Sequence, residues 1–233
     1  MAKVHYEIGV KMTKLQTVLG WMYLPFFVLL TSLSIQFFAG LLQQPLDDYS
    51  LNLIYMSVNF VFVLLVYHKF LLKSFRGFTE NFWLFIQTLI LGFALYYVLA
   101  MVLTAPLTLM GDTPANNKMV ESLLGQNQTV MMLFTVVAAP IVEETLFRGV
   151  VFGTVHKNSR LLAYVASVLL FTAIHVWQYA ATMNIGMLLA NCAVYIAPSV
   201  ALGWTYEKSG TILCPIVLHM IINALACGVS LAL

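Results

Sequence analysis

The residues in this chain whose types suit chemistry are few, and they sit where charge is costly. Glu143, Glu144 and Arg148 fall within residues 131–149, a stretch otherwise apolar enough to cross a membrane. A charged side chain at bilayer depth costs roughly 2.5–3.5 kcal/mol on insertion scales, so three within about one and a half turns point to a buried site with partners on neighbouring helices. The candidate partners are His175 in the next apolar segment and His219 with Asn223 in the last. Helical spacing groups them. Glu144 and Arg148 are four apart and share a face, as do Phe171 with His175 and His219 with Asn223, whereas Glu143 is turned by about 100° from Glu144. The two glutamates therefore cannot face Arg148 equally.

A carboxylate, two imidazoles and an amide brought to one pocket suit hydrolysis of a peptide bond. A buried carboxylate can take a proton from water, and an imidazole can orient that water or hand a proton to the leaving amine. An imidazole and an amide can also donate hydrogen bonds to a tetrahedral oxyanion, where a low dielectric strengthens them. A metal is the competing use: Glu143, His175 and His219 would match a catalytic zinc site with its fourth position open. No His-Glu-x-x-His occurs, and the three ligands would come from three separate helices. Spacing leaves both chemistries open.

The elements that must position these groups follow from composition. The chain is 61% hydrophobic and 9% charged over 233 residues, far below the charge of a soluble domain. It reads as an all-α, polytopic transmembrane helix bundle, and at ~20 residues per crossing the length allows about seven or eight spans and little else. Charges and turn formers divide the sequence into seven: about 18–42, 51–72, 82–105, 129–155, 161–177, 185–206 and 211–231. The loop 106–128 has no apolar run, and a short interfacial helix could lie either there or in the N-terminus. Residues 1–128 form an N-terminal three-span region with an outer loop, and residues 129–233 a catalytic four-span core. With a cytoplasmic N-terminus, nine basic residues (Lys3, Lys11, Lys14, Lys69, Lys73, Arg76, Lys157, Arg160 and Lys208) lie inside and one, Lys118, outside. That bias sets the orientation. At ~1.5 Å per residue, Glu143, His175, His219 and Asn223 fall in one layer of the hydrocarbon region.

The net charge of +2 gives no reason to expect nucleic acid. No cleavable signal peptide stands out. Cys192, Cys214 and Cys227 lie in apolar spans without paired spacing and read as small buried hydrophobes. His68 and His156 sit near the cytoplasmic boundary and read as solvated, and His5 lies in the N-terminal tail. Asn59, Gln87 and Asn191 read as packing or as solvation of a cavity. Pro140, Pro198 and Pro215 loosen spans near the site.

The ordered set Glu-Glu-x-x-x-Arg (143, 144, 148), Phe-x-x-x-His (171, 175) and His-x-x-x-Asn (219, 223) resembles the CAAX prenyl protease and bacteriocin-processing family, also called CPBP or ABI. The resemblance covers about residues 130–230, and residues 204–211 before the last span also look like the family's pattern. It implies an intramembrane endopeptidase, with Glu143 as general base and His175 helping to activate the water. His219 and Asn223 would form the oxyanion hole, and Glu144 with Arg148 would be a buried ion pair holding Glu143. The family has been described both as metalloproteases and as glutamic proteases, and the metal-free, cofactor-free reading is favoured here over zinc. The expected partners are the lipid bilayer and a peptide or membrane-tethered substrate: a CAAX tail, a bacteriocin or a pheromone precursor. The expected location is a bacterial plasma membrane. Two other classes stand beside this one. A proton-coupled transporter would show repeats between its halves, and none stands out. A non-catalytic binding or immunity protein would keep its phenotype without Glu143.

Overall fold

The computed structural model describes residues 9–232. These fold into a helical bundle, and no strand occurs among them. Eight continuous helices account for it: α1 (Lys14–Leu41), α2 (Asp48–Glu80), α3 (Phe82–Leu109), α5 (Gln128–Val155), α6 (Arg160–Thr182) and α7 (Ile185–Ser209) are each long and apolar enough to cross a membrane. The remaining two are the short α4 (Ala115–Gln126) and the apolar last helix α8 (Leu213–Ala232). The protein is thus an integral membrane protein. The seven expected spans correspond to α1–α3 and α5–α8. Helix α4 is the short helix for which the 106–128 loop left room, and α2 runs two turns further than expected, to Glu80.

Local chemistry sets the ends. Thr13 and Gln16 form a reciprocal capping box at the start of α1. Asp47, Asn127, Ser159 and Asn184 each accept a backbone N–H in the first turn of the helix that follows, satisfying donors that would otherwise be orphaned. Gly210 ends α7 at φ 67°, a left-handed conformation that suits glycine.

Helix α5 is the centre of the bundle. Half of its most apolar window is buried, against 11% for each of α2 and α3, which present leucines, valines and aromatics such as Leu65, Trp83 and Val102 outward. That outward apolar surface is what lipid requires. Leu146, Phe147, Val150 and Val151 of α5 are fully enclosed against Val63 and Tyr67 of α2 and Leu202 of α7. Helix α7 makes its most extensive contacts with α3 and α6. At Gly92 of α3 the backbones come so close that a Cβ would collide with Thr205 of α7.

Helix α5 is irregular. Its turns widen to π geometry at Phe134–Ala138 and again at Thr145–Phe152, on either side of the glutamate pair. Pro140 has no N–H to give the carbonyl four residues back, so the first wide turn falls where the α ladder is already broken.

The two ends of the bundle differ. At one, Lys14, Lys69, Lys73, Arg76, Lys157, Arg160 and Lys208 gather. This end is tied by Thr211 Oγ1 donating to Ser74 O and by Gly9 N donating to Gly210 O. The other end carries Asp47, Asp48, Asp112 and Glu121, with Lys118 paired to Asp112. The first is called the basic end below and the second the acidic end.

Candidate active site

Glu143 and Glu144 diverge as their spacing predicts. Glu144 is fully buried and points to Arg148: Arg148 Nη1 donates to Glu144 Oε1 at 3.0 Å. The other guanidinium arm, Nη2, donates to both the carbonyl and the hydroxyl of Ser199 on α7, each at 3.1 Å. The guanidinium also lies 4.5 Å from the centroid of the Phe171 ring on α6. Desolvating a pair this completely is unfavourable unless further hydrogen bonds hold it, and Ser199 and Phe171 supply such contacts.

His219 from α8 joins this group. Its Nδ1 lies 2.8 Å from Glu144 Oε1. A carboxylate oxygen accepts, so Nδ1 carries the proton, and Nε2 is left for the chamber that His219 lines. The resemblance implies an ion pair between Glu144 and Arg148 and gives His219 no part in it. Instead Glu144 bridges the imidazole and the guanidinium. The α5 segment Ala139–Glu144 packs against α8, which brings Glu144 within reach of His219.

Glu143 turns to the other side. Its Oε2 lies 3.9 Å from His175 Nε2, both side chains being 13% exposed. His175 Nδ1 donates to the Phe171 carbonyl at 2.7 Å. That bond fixes the tautomer, because a carbonyl only accepts, and it aims the Nε2 lone pair at Glu143. The ring is held between Phe171, at 4.6 Å between centroids, and Tyr195 of α7, stacked at 4.5 Å and 23°. Asn223 Nδ2 donates one hydrogen to the carbonyl of Thr135, in the first wide turn of α5, at 2.9 Å. The second amide hydrogen remains for the chamber.

Glu143, Phe171, His175, Tyr195, His219 and Asn223 all line one chamber of about 560 Å3. The convergence expected from sequence is therefore present for Glu143, His175, His219 and Asn223. Glu144 and Arg148 lie behind it. Among the described residues no group of three or more His, Cys, Asp or Glu side chains is placed to hold a metal ion.

Several residues of the site escaped the sequence reading. Tyr195 and Ser199 stand four and eight positions after Asn191, a polar stripe along α7 that spacing could have shown. Tyr55 forms a shorter stripe on α2 with Asn59, which the sequence offered as packing or cavity solvation. Both line the chamber, and Asn59 accepts from Tyr23 Oη at 2.7 Å. Asn191 instead accepts from Ala115 N of α4 at 3.1 Å, and Gln87 is exposed away from the chamber. His156, expected to be solvated, lies 3.1 Å from Glu207 at the basic end, where Arg160 and Tyr164 also donate to that carboxylate. Glu207 is only 2% exposed and draws the imidazole in.

No curated protein and no solved structure matches the chain. Residues 125–225 do match the model of the Rce1-like family, described as type II CAAX prenyl endopeptidase. The matched stretch holds α5, α6, α7 and the two residues of α8 in the site. It thereby bears out the resemblance carried by the three polar pairs. Residues 125–225 are thus similar to the Rce1-like family of type II CAAX prenyl endopeptidases, a similarity that indicates an intramembrane endopeptidase.

Proposed function

We propose that the protein is an intramembrane endopeptidase that hydrolyses a peptide bond with water activated by Glu143 and His175, without a metal. The observation that carries this reading is the 3.9 Å approach of Glu143 Oε2 to His175 Nε2 on the wall of the chamber. That spacing is too long for a hydrogen bond and suits one water bound to both. Such a water gives one hydrogen to the Glu143 carboxylate and the other to the His175 lone pair. Glu143 takes the proton as the oxygen adds to the peptide carbonyl.

The tetrahedral oxyanion then meets the free N–H of Asn223. With Nδ1 committed to Glu144, His219 offers Nε2 as a proton acceptor and donates there only when it carries a second proton. This favours a proton-transfer role for His219, ending at the leaving amine, over the simple oxyanion donor expected from the resemblance. Glu144, Arg148 and Ser199 hold that imidazole and the helix that carries Glu143. The substrate is a peptide or membrane-tethered protein, of the CAAX type or a small exported peptide. The membrane is a bacterial plasma membrane, with the basic end inside.

Glu143→Gln keeps the size of the side chain and removes the base. Peptides from membranes bearing the wild-type and Glu143→Gln proteins are compared by mass spectrometry for new termini. Termini that depend on Glu143, with turnover reduced by about 10²–10⁴ in the variant, support the reading. Identical termini from both proteins overturn it.

A further inference from the structure

We infer that the chamber is open to the extracytoplasmic face and takes a neutral or positively charged peptide from that side, an inference that rests on the protease reading above. The polar part of the chamber's lining lies at the acidic end. Asp48 and Asn52 begin α2, Gln36 is near the end of α1, Asn116 and Asn117 are on α4, and Gln178 is in the last turn of α6. Asn117 and Gln178 are exposed, so the polar lining is continuous with the surface there. Towards the basic end the opposite holds. Phe147, Val150, Val151, Phe152 and Tyr206 are buried below the catalytic groups, and beyond them Glu207 gathers Arg160, His156 and Tyr164. A peptide approaching from the basic end meets packed core.

The seven basic residues of the closed end place it in the cytoplasm, so the open end faces outward. Charge also narrows the substrate. The charged residues lining the chamber are Asp48 and Glu143, with no Lys or Arg beside them among the described residues. Both are acidic, Asp48 at the exposed mouth and Glu143 on the inner wall, which disfavours a chain ending in a free carboxylate and favours one carrying a basic group. The geometry therefore fits a segment of an exported peptide better than an anionic C-terminal tail presented from the cytoplasm.

Thiol accessibility tests this without requiring turnover. Three variants are compared in right-side-out and inside-out vesicles, with the unsubstituted chain as background for its own three cysteines: Asn117→Cys at the mouth, Met56→Cys about 12 Å along α2 from Asp48, and Lys157→Cys at the closed end. The probes are two membrane-impermeant methanethiosulfonates, one with a trimethylammonium group and one with a sulfonate. Expected is modification of Asn117→Cys and Met56→Cys in right-side-out vesicles only, the reverse for Lys157→Cys, and roughly fivefold or faster reaction of Met56→Cys with the cationic reagent. Modification of Met56→Cys only from the other side, from neither side, or no faster by the cationic reagent overturns the inference. Monodisperse elution in detergent verifies that each variant is folded. The labelling stands apart from catalysis: labelling as expected with no Glu143-dependent termini would sink the protease reading alone, whereas such termini with reversed labelling would sink the sidedness alone.

Discussion

His219 Nδ1 and Arg148 Nη1 share one acceptor, Glu144 Oε1, at 2.8 and 3.0 Å. One carboxylate oxygen thus couples an imidazole on α8 to a cation one turn along α5, with all three side chains enclosed. Glu144→Gln keeps the shape and removes the charge, leaving Arg148 buried without its anion. Removing one partner of a buried pair costs roughly 3–5 kcal/mol. Thermal unfolding in detergent should show that loss. Because His219 also loses its fixed orientation, kcat should fall more than KM changes. A variant as stable as wild type would show that the pair is not the anchor described.

Arg148→Lys should fail as a conservative change. A single ammonium cannot reach Glu144, both oxygens of Ser199 and the face of Phe171 together. Ser199→Ala removes only the hydroxyl and leaves the carbonyl acceptor, so its cost should be about 1 kcal/mol. The ranking of the two unfolding midpoints tests how the guanidinium is held.

Tyr195 should act through its ring. Tyr195→Phe keeps the stack on His175 and should leave turnover near the wild-type rate. Tyr195→Leu removes an aromatic contact worth about 0.5–1.5 kcal/mol, which lowers kcat by up to about tenfold if the His175 ring loses its alignment. Equal loss in both variants would instead point to the hydroxyl.

Gly92 should tolerate no side chain. Gly92→Val drives methyl groups into Thr205 and must separate α3 from α7, an overpacking cost of typically 1–3 kcal/mol. Gly40→Ala has open space around the added carbon and serves as the control. Unfolding of both in the same detergent decides the point.

The Asp112–Lys118 pair sits ahead of and within the first turn of α4. The Lys118 ammonium, aided by the Thr113 amide, holds the Asp112 carboxyl below its ordinary value of 3.8. A depressed folded value means the contribution is complete above 3.8 and is lost as pH falls through the lower folded value. Hydrogen-exchange protection in α4 should therefore be flat from neutral pH down to about 5 and weaken only in stronger acid. Weakening already at pH 6 would assign it to another group.

The spans were legible because charge-free runs and basic flanks are one-dimensional signals. The approach of Glu143 to His175 was legible too, because intramembrane charges demand partners and few groups were on offer. What escaped depends on partners far along the chain. Ser199 meets Arg148 across 51 residues, and nothing local marks its hydroxyl as different from a helix-surface serine. Tyr195 reads as core in an apolar helix until His175 is found against it. Glu207 reads as a flanking charge until Arg160, His156 and Tyr164 close over it. The contact of His219 with Glu144 was not legible, since spacing does not say which of two adjacent glutamates an imidazole on α8 meets.

The carbonyl that Asn223 grips belongs to Thr135, inside a wide turn of α5. An α-helix consumes its own carbonyls, and a turn with a surplus residue leaves an acceptor turned outward that a neighbour can take. Here that surplus fastens the last helix of the bundle to the central one at the wall of the chamber. Deleting Val136 would remove the surplus residue and rotate that carbonyl away from Asn223, while Pro140, then four residues on, has no N–H to replace the lost donor. The last helix would then lose its catch.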